Sequence, residues 1–176
     1  MSDFRRKNIR LPASFYVGRQ WYFLTLCTQD RVPIFGDADL VRELLCLIEN
    51  EAQTTGFDLQ AYCFMPDHVH LLASGRKENS DLQAFVQSFK QRSGYAFRRA
   101  KGLRLWQHKY YDHILRRDER WQPVAWYIWM NPVRKGLCAQ PQDWPNSGSL
   151  NMNWRKLMMP PGKPWLPPWK HRSAAL

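Results

Sequence analysis

The reading of the fold turns on Tyr62-Cys63-Phe64-Met65-Pro66-Asp67-His68-Val69-His70-Leu71-Leu72-Ala73. Aromatic, β-branched and apolar residues on either side of Pro66-Asp67 favour two strands. So short a connection makes those strands antiparallel neighbours. Side chains alternate along a strand, so His68 and His70 share one face while Val69 and Leu71 point the other way, into a core. Two imidazoles side by side are half of a divalent-metal site. A structural role for the pair is the competing reading, and a metal would need a third ligand from elsewhere in the chain.

The flanking segments supply the rest of a small α+β domain. Trp21-Tyr22-Phe23-Leu24-Thr25-Leu26-Cys27-Thr28 reads as a first strand, followed by a loop from Gln29 to Gly36. Asp37 suits the cap of a helix from about Asp39 to Gln53, with Leu40, Leu44, Leu47 and Ile48 at helical spacing and Gly56 as its stop. Phe57 to Met65 and His68 to Ser74 are the second and third strands. Ser80 is expected to cap a second helix to Arg99, with Leu82, Phe85, Val86 and Phe89 inward and Lys90, Arg92, Arg98 and Arg99 outward. A fourth strand is expected around Tyr111 to Leu115. A third helix runs from Glu119 to Met130, is interrupted by Asn131-Pro132 and stops at Gly136. The order β-α-β-β-α-β plus a C-terminal helix is a ferredoxin-like (RRM-like) layout with an antiparallel sheet, whose first and third strands are central. One domain is expected over residues 1–150, with a basic arm at 1–20. From about residue 140 the chain reads as irregular, and residues 151–176 form a Pro- and Trp-rich basic tail.

Charge narrows the partner. The chain carries 26 Lys+Arg against 15 Asp+Glu, a formal +11 over 176 residues, and a pI near 9.8. That excess points to a polyanion. Nine Trp, seven Tyr and nine Phe suit single-stranded nucleic acid, whose bases stack on rings, although most such rings serve as core. Arg5, Arg6, Lys7 and Arg10 in the arm, and Lys90, Arg92, Arg98 and Arg99 on the second helix, are the candidate DNA contacts. A solvated terminus and an ordinary charged helix face are the alternatives. Cys27, Cys46, Cys63 and Cys138 stand singly, which argues against a zinc ribbon or a disulfide scaffold. The polar, basic start does not resemble a signal peptide, and no apolar run of membrane-spanning length exists. A cytoplasmic, nucleoid-associated protein is expected.

A third ligand can come from Trp126-Tyr127-Ile128-Trp129-Met130-Asn131-Pro132. Tyr127 and Asn131 are four apart and share a helix face. The Asn carbonyl is a hard oxygen ligand that can complete a two-histidine site, and a phenol would stand one turn away. Tyr95, Tyr110 and Tyr111 are rival nucleophiles, but none has an Asn four residues on. Trp126 and Trp129 fall on other faces and suit packing.

Met65-Pro66-Asp67-His68-Val69-His70-Leu71-Leu72 and Tyr127-Ile128-Trp129-Met130-Asn131-Pro132-Val133-Arg134-Lys135-Gly136 together resemble the motifs of the single-tyrosine HUH transposases. The nearest branch is the REP-associated tyrosine transposases, small stand-alone bacterial proteins. Trp106-Gln107 and Tyr111-Asp112-His113 resemble that family's run before the last strand, and the similarity covers about residues 15–150. The resemblance implies Mg²⁺ or Mn²⁺ held by His68, His70 and Asn131, and Tyr127 attacking a phosphodiester of single-stranded DNA to leave a 5′-phosphotyrosine. It implies a substrate that is a repetitive extragenic palindrome (REP/BIME-like), an imperfect hairpin with a guide sequence at its foot, and a monomer rather than a dimer. Asp67, Asp112 and His113 are candidates for supporting the site from behind the ligands, although Asp67 suits a turn before the strand equally well, and a structural role or a DNA contact is the favoured reading for Asp112 and His113. Two other readings stand: a ferredoxin-like module that binds nucleic acid without cutting it, and another HUH nickase such as a replication initiator. Replication initiators often carry two tyrosines on the catalytic helix, where this chain has one.

Overall fold

The computed structural model describes residues 11–157, 162 and 164–168. Its elements are β1 (Trp21–Cys27), α1 (Ala38–Thr55), β2 (Phe57–Met65), β3 (His68–Gly75), α2 (Leu82–Lys101), β4 (Tyr111–Ile114), α3 (Trp121–Trp129), α4 (Asn131–Arg134) and β5 (Ser147–Gly148). All strand pairs are antiparallel, in the order β4-β1-β3-β2-β5. The expected α+β layout is therefore present, and β1 and β3 lie at its centre.

Two cores sit on the two faces of this sheet. On one face Tyr22, Leu24, Leu26, Val69, Leu71 and Ala73 pack under the apolar stripes of α1 and α2. On the other, Phe23, Ala61, Cys63, Met65 and Leu72 pack against α3. β2 changes phase between them. Leu59 pairs with Ala73 and Ala61 with Leu72, so Gln60 is an extra residue, a β-bulge. The bulge turns Ala61, Cys63 and Met65 toward α3, where an unbroken alternation from Phe57 would have placed them under α1 and α2.

Local chemistry sets the helix ends. Asp37 Oδ1 accepts from the Asp39 and Leu40 amides, which caps α1 as expected, and Gly56 closes it in the left-handed region at φ 78°. The cap of α2 is Asp81, whose Oδ1 accepts from Gln83 N at 2.8 Å and Ala84 N at 3.1 Å. Ser80, the expected cap, donates to the Gly56 carbonyl instead at 2.7 Å and so ties the two helix ends together.

The chain beyond residue 140 differs most from expectation. β5 pairs with Tyr62 and Cys63 at the sheet edge. Trp144 Nε1 donates to Phe64 O at 2.9 Å, and the Trp154 ring stacks on Trp129 at 4.7 Å. The cause lies in α3, where Val124, Ala125, Trp126, Tyr127, Ile128 and Trp129 are all buried. A helix apolar on every side needs cover on every side. The sheet covers one side, and Trp154 and Trp165 belong to the same core. Among the described residues no helix is long and apolar enough to cross a membrane.

Candidate active site

The two histidines project from β3 toward α3. His68 stands between Cys27 of β1 and Met65 of β2, and His70 between Thr25 and Cys63. Each ring is fixed through Nδ1: His68 Nδ1 lies 2.5 Å from Asp67 Oδ1, and His70 Nδ1 lies 2.9 Å from Thr25 Oγ1. Asp67 is itself ion-paired with Arg31 at 3.2 Å. The Thr25 hydroxyl is a partner that inspection of the sequence missed, because it depends on the register of β1 against β3.

With both Nδ1 atoms engaged, the Nε2 atoms face each other at 3.2 Å. Burial holds His70 well below the usual imidazole range. Burial also lowers His68, against the pull of Asp67. Two neutral rings with protonated Nδ1 would direct two Nε2 lone pairs into one spot. That is the arrangement of metal-binding imidazoles whose other nitrogen is held by an oxygen acceptor. The neighbouring Cys63 thiol does not join them, since burial pushes it up to about 12. Among the described residues no cluster of three or more His, Cys, Asp or Glu side chains forms, so a third protein ligand here must be of another type.

Asn131 is that type, and Pro132 orients it. Proline has no N–H, so the carbonyl four residues back, on Ile128, loses its helical donor. α3 ends at Trp129, and the Asn131 side chain fills the gap: Nδ2 donates to Tyr127 O at 2.9 Å and to Ile128 O at 3.1 Å. Using Nδ2 in this way turns Oδ1 off the helix end. Tyr127 and Asn131 then line one cleft together with His68 and His70, although the helix that was expected to align them is broken between them. The Tyr127 ring, 6% exposed, lies 6.4 Å from the His70 ring. Burial raises its phenol pKa, and Arg134 opposes that shift.

The cleft has a volume of about 1910 Å³, and Lys90, Arg98, Arg104 and Lys109 are among the residues that line it. Small-molecule pockets are typically ~300–1000 Å³, so this one suits a polymer. Phe15 and Tyr95, among the large apolar side chains left exposed, line it too.

A family model described as "Transposase IS200 like" matches residues 16–129. The chain belongs to the IS200-like transposase family. Members are DNA-processing enzymes, and the matched span runs from before β1 to the end of α3. A Haemophilus influenzae protein provisionally named as a REP-associated tyrosine transposase is 29% identical over 143 residues, which span 72% of this chain and 77% of the relative. The REP-associated tyrosine transposase of Escherichia coli is 24% identical over 149 residues, 84% of this chain and 82% of that one. A solved REP-associated tyrosine transposase bound to a REP hairpin shares the fold, with a TM-score of 0.62, 24% identity, and coverage of 84% of this chain and 82% of that chain.

The other residues singled out in this transposase divide by position. Asp67 contacts His68 as expected. Asp112 pairs with Leu24 in the sheet and so points to the α1/α2 face, where its Oδ2 accepts from the Tyr16 hydroxyl at 2.8 Å. It is on the wrong side of the sheet to support the His pair. His113 pairs with Phe23 on the correct face, but its Nε2 bonds Glu119 Oε2 at 2.8 Å, and its ring lies 6.1 Å from Trp165. Tyr111 also faces α3, level with Thr25 near the sheet edge, and Tyr110 packs on the opposite core. Lys90 donates to the Gln107 and His108 carbonyls, and Arg92 is ion-paired with the buried Glu51 of α1. Arg99 lies 6.0 Å over the Tyr95 ring. Arg5, Arg6, Lys7 and Arg10 fall outside the described residues.

Proposed function

We propose that this transposase cuts and rejoins single-stranded DNA at a hairpin of the repetitive extragenic palindrome type, with Tyr127 as covalent nucleophile. The observation that supports this most is the convergence of two fixed Nε2 atoms on one spot, in the same cleft as Tyr127 and Asn131, in a chain of this family. The Tyr127 phenol oxygen attacks phosphorus, and the bond from phosphorus to the 3′ oxygen breaks. The phenol proton is lost to water, and the departing 3′ oxygen takes one up. The 5′ phosphate stays on Tyr127 as a phosphodiester, so a 3′ hydroxyl can later attack it, release the phenol and rejoin the strands without ATP.

A divalent cation held by His68 Nε2, His70 Nε2 and Asn131 Oδ1 would polarise the phosphodiester and offset charge on the attacking oxygen. Two imidazoles suit Mn²⁺ better than Mg²⁺, which prefers oxygen ligands. Asp67 and Thr25 hold those imidazoles in place, and Asn131 links the nucleophile's helix to the ligand set. His68, His70, Tyr127 and Asn131 line a cleft of a single chain, which favours a monomer as the acting unit. The solved relative is bound to a REP hairpin. The basic and aromatic lining of the cleft supports extending that partner to this chain, with binding that weakens steeply as salt rises.

The test is a covalent adduct. Full-length protein, a labelled hairpin oligonucleotide and Mn²⁺ are expected to give a species that survives a denaturing gel. EDTA abolishes the adduct but leaves native-gel binding of the hairpin. Binding without adduct in Mn²⁺, unaffected by EDTA, would instead indicate a module that holds nucleic acid without cutting it.

A further inference from the structure

Arg134 lies beside the nucleophile on a solvent-exposed position, and among the described residues no carboxylate is ion-paired with it. Its guanidinium carbon lies 4.1 Å from the centroid of the Tyr127 ring, and one of its nitrogens donates to the Tyr127 carbonyl at 2.8 Å. The two residues are seven apart. In an unbroken helix that is about 10 Å of axial rise, a long span for one side chain to fold back across. The break at Met130-Asn131-Pro132 removes the difficulty: α3 ends at Trp129, and α4, only Asn131–Arg134, carries the guanidinium back over the ring. Planar stacking of guanidinium on an aromatic face is a geometry that lysine cannot copy.

We propose that Arg134 is the positioning residue for Tyr127: it clamps the phenol ring from one face and places a fixed positive charge beside the oxygen that becomes anionic during attack and again during rejoining. The inference rests on Tyr127 being the nucleophile, and it concerns how that nucleophile is held. Burial alone makes a phenol a poorer nucleophile by disfavouring the phenolate. The Arg134 guanidinium, 4.1 Å from the ring centroid, sets a charge of opposite sign beside that phenolate. The cation costs no reorganisation when charge develops, because stack and carbonyl bond have already fixed it. The alternative is that Arg134 only closes the C-terminal end of α3.

Arg134→Gln separates the two, since glutamine can still donate to the Tyr127 carbonyl but carries no charge and does not stack as a cation. In single-turnover assays with labelled hairpin and Mn²⁺, the saturating rate of adduct formation by Arg134→Gln is expected to fall on the order of 100-fold. The half-saturating hairpin concentration stays within about twofold, and Arg134→Lys recovers part of the rate. A second readout is independent of chemistry. 3-Fluorotyrosine placed at position 127 gives a ¹⁹F resonance that shifts in Arg134→Gln, because the ring loses its cation. An unchanged rate in Arg134→Gln, or an unmoved resonance, overturns the proposal. Failure of wild-type protein to form adduct counts against the phosphotyrosine reading instead, and the resonance still decides the contact.

Discussion

The two faces of one sheet do different work with the same strands. Along β1, Leu24 and Leu26 enter the core under α1 and α2, while Thr25 and Cys27 face α3. Along β3, Val69 and Leu71 belong to the first set, and His68 and His70 to the second. The first face is apolar and closed by two long amphipathic helices. The second holds one buried and one partly exposed imidazole, a buried phenol and a buried amide beneath a short helix that ends early. Alternation lets a strand pin its functional side chains with the residues between them, since moving His70 would drag Val69 and Leu71 out of a packed core. The sheet is rigid where the site needs it to be.

This contrast is sharpest in its largest predicted effect. Tyr127→Phe removes one hydroxyl from the functional face and should abolish the hairpin adduct on denaturing gels, while the urea midpoint of unfolding barely moves. Adduct equal to wild type in that variant would remove Tyr127 from its assigned role. Leu71→Ala, on the opposite face of the adjacent residue, should do the reverse. Truncating a buried leucine costs about 2–5 kcal/mol, readable by urea denaturation. The fraction that remains folded should still form adduct at the wild-type rate. If Leu71→Ala were stable but inactive, the faces would not be separable as argued.

The first face was legible in the sequence because it depends on periodicity alone. Leu44 and Ile48, or Phe85 and Phe89, declare a buried stripe without any knowledge of what they pack on. The second face was legible only in part. His68, His70, Tyr127 and Asn131 stood out as residue types at telling intervals, and the structure places them in one cleft. What the sequence hides is register and closure. That Thr25 meets His70 follows from which residue of β1 lies opposite which residue of β3, and no local signal fixes that. Asp112 and His113 could not both serve the site, since neighbours in a strand face opposite ways. Without the register, the sequence did not say which one faces α3. The role of the tail had a readable sign. Trp126 and Trp129 flank Tyr127 on a helix with no polar face, and such a helix needs a second cover, to which Trp144, Trp154 and Trp165 contribute.

Thr25→Val tests the register contact with a smaller effect. Valine keeps the shape and the strand preference, and removes only the oxygen at His70 Nδ1. Loss of such a supporting partner typically weakens metal binding about 10–100-fold. The Mn²⁺ concentration giving half-maximal adduct should rise by that factor, and the saturating rate should change much less. An unchanged Mn²⁺ requirement would show that Thr25 does not orient the ligand.

The smallest effects separate two arginines on α2 that look alike in sequence. Arg92 is ion-paired with Glu51, a carboxylate only 3% exposed, whereas Arg98 lines the cleft. A buried carboxylate that loses its partner is destabilising, but Arg92 itself is 60% exposed, and water then reaches part of the pair. Arg92→Ala should therefore cost about 1–2 kcal/mol of stability and leave the salt dependence of hairpin binding unaltered. Arg98→Ala should do the opposite. Its stability stays within about 0.5 kcal/mol, and the slope of log affinity against log salt becomes shallower by about 1, the loss of a single phosphate contact. The same side chain, a short distance along the same helix, thus braces the helix pair in one case and lines the cleft in the other. If both variants lowered the salt slope alike, the pairing of Arg92 with Glu51 would give way when DNA binds, and charge on the helix face alone, as the sequence suggested, would be the better guide to contact.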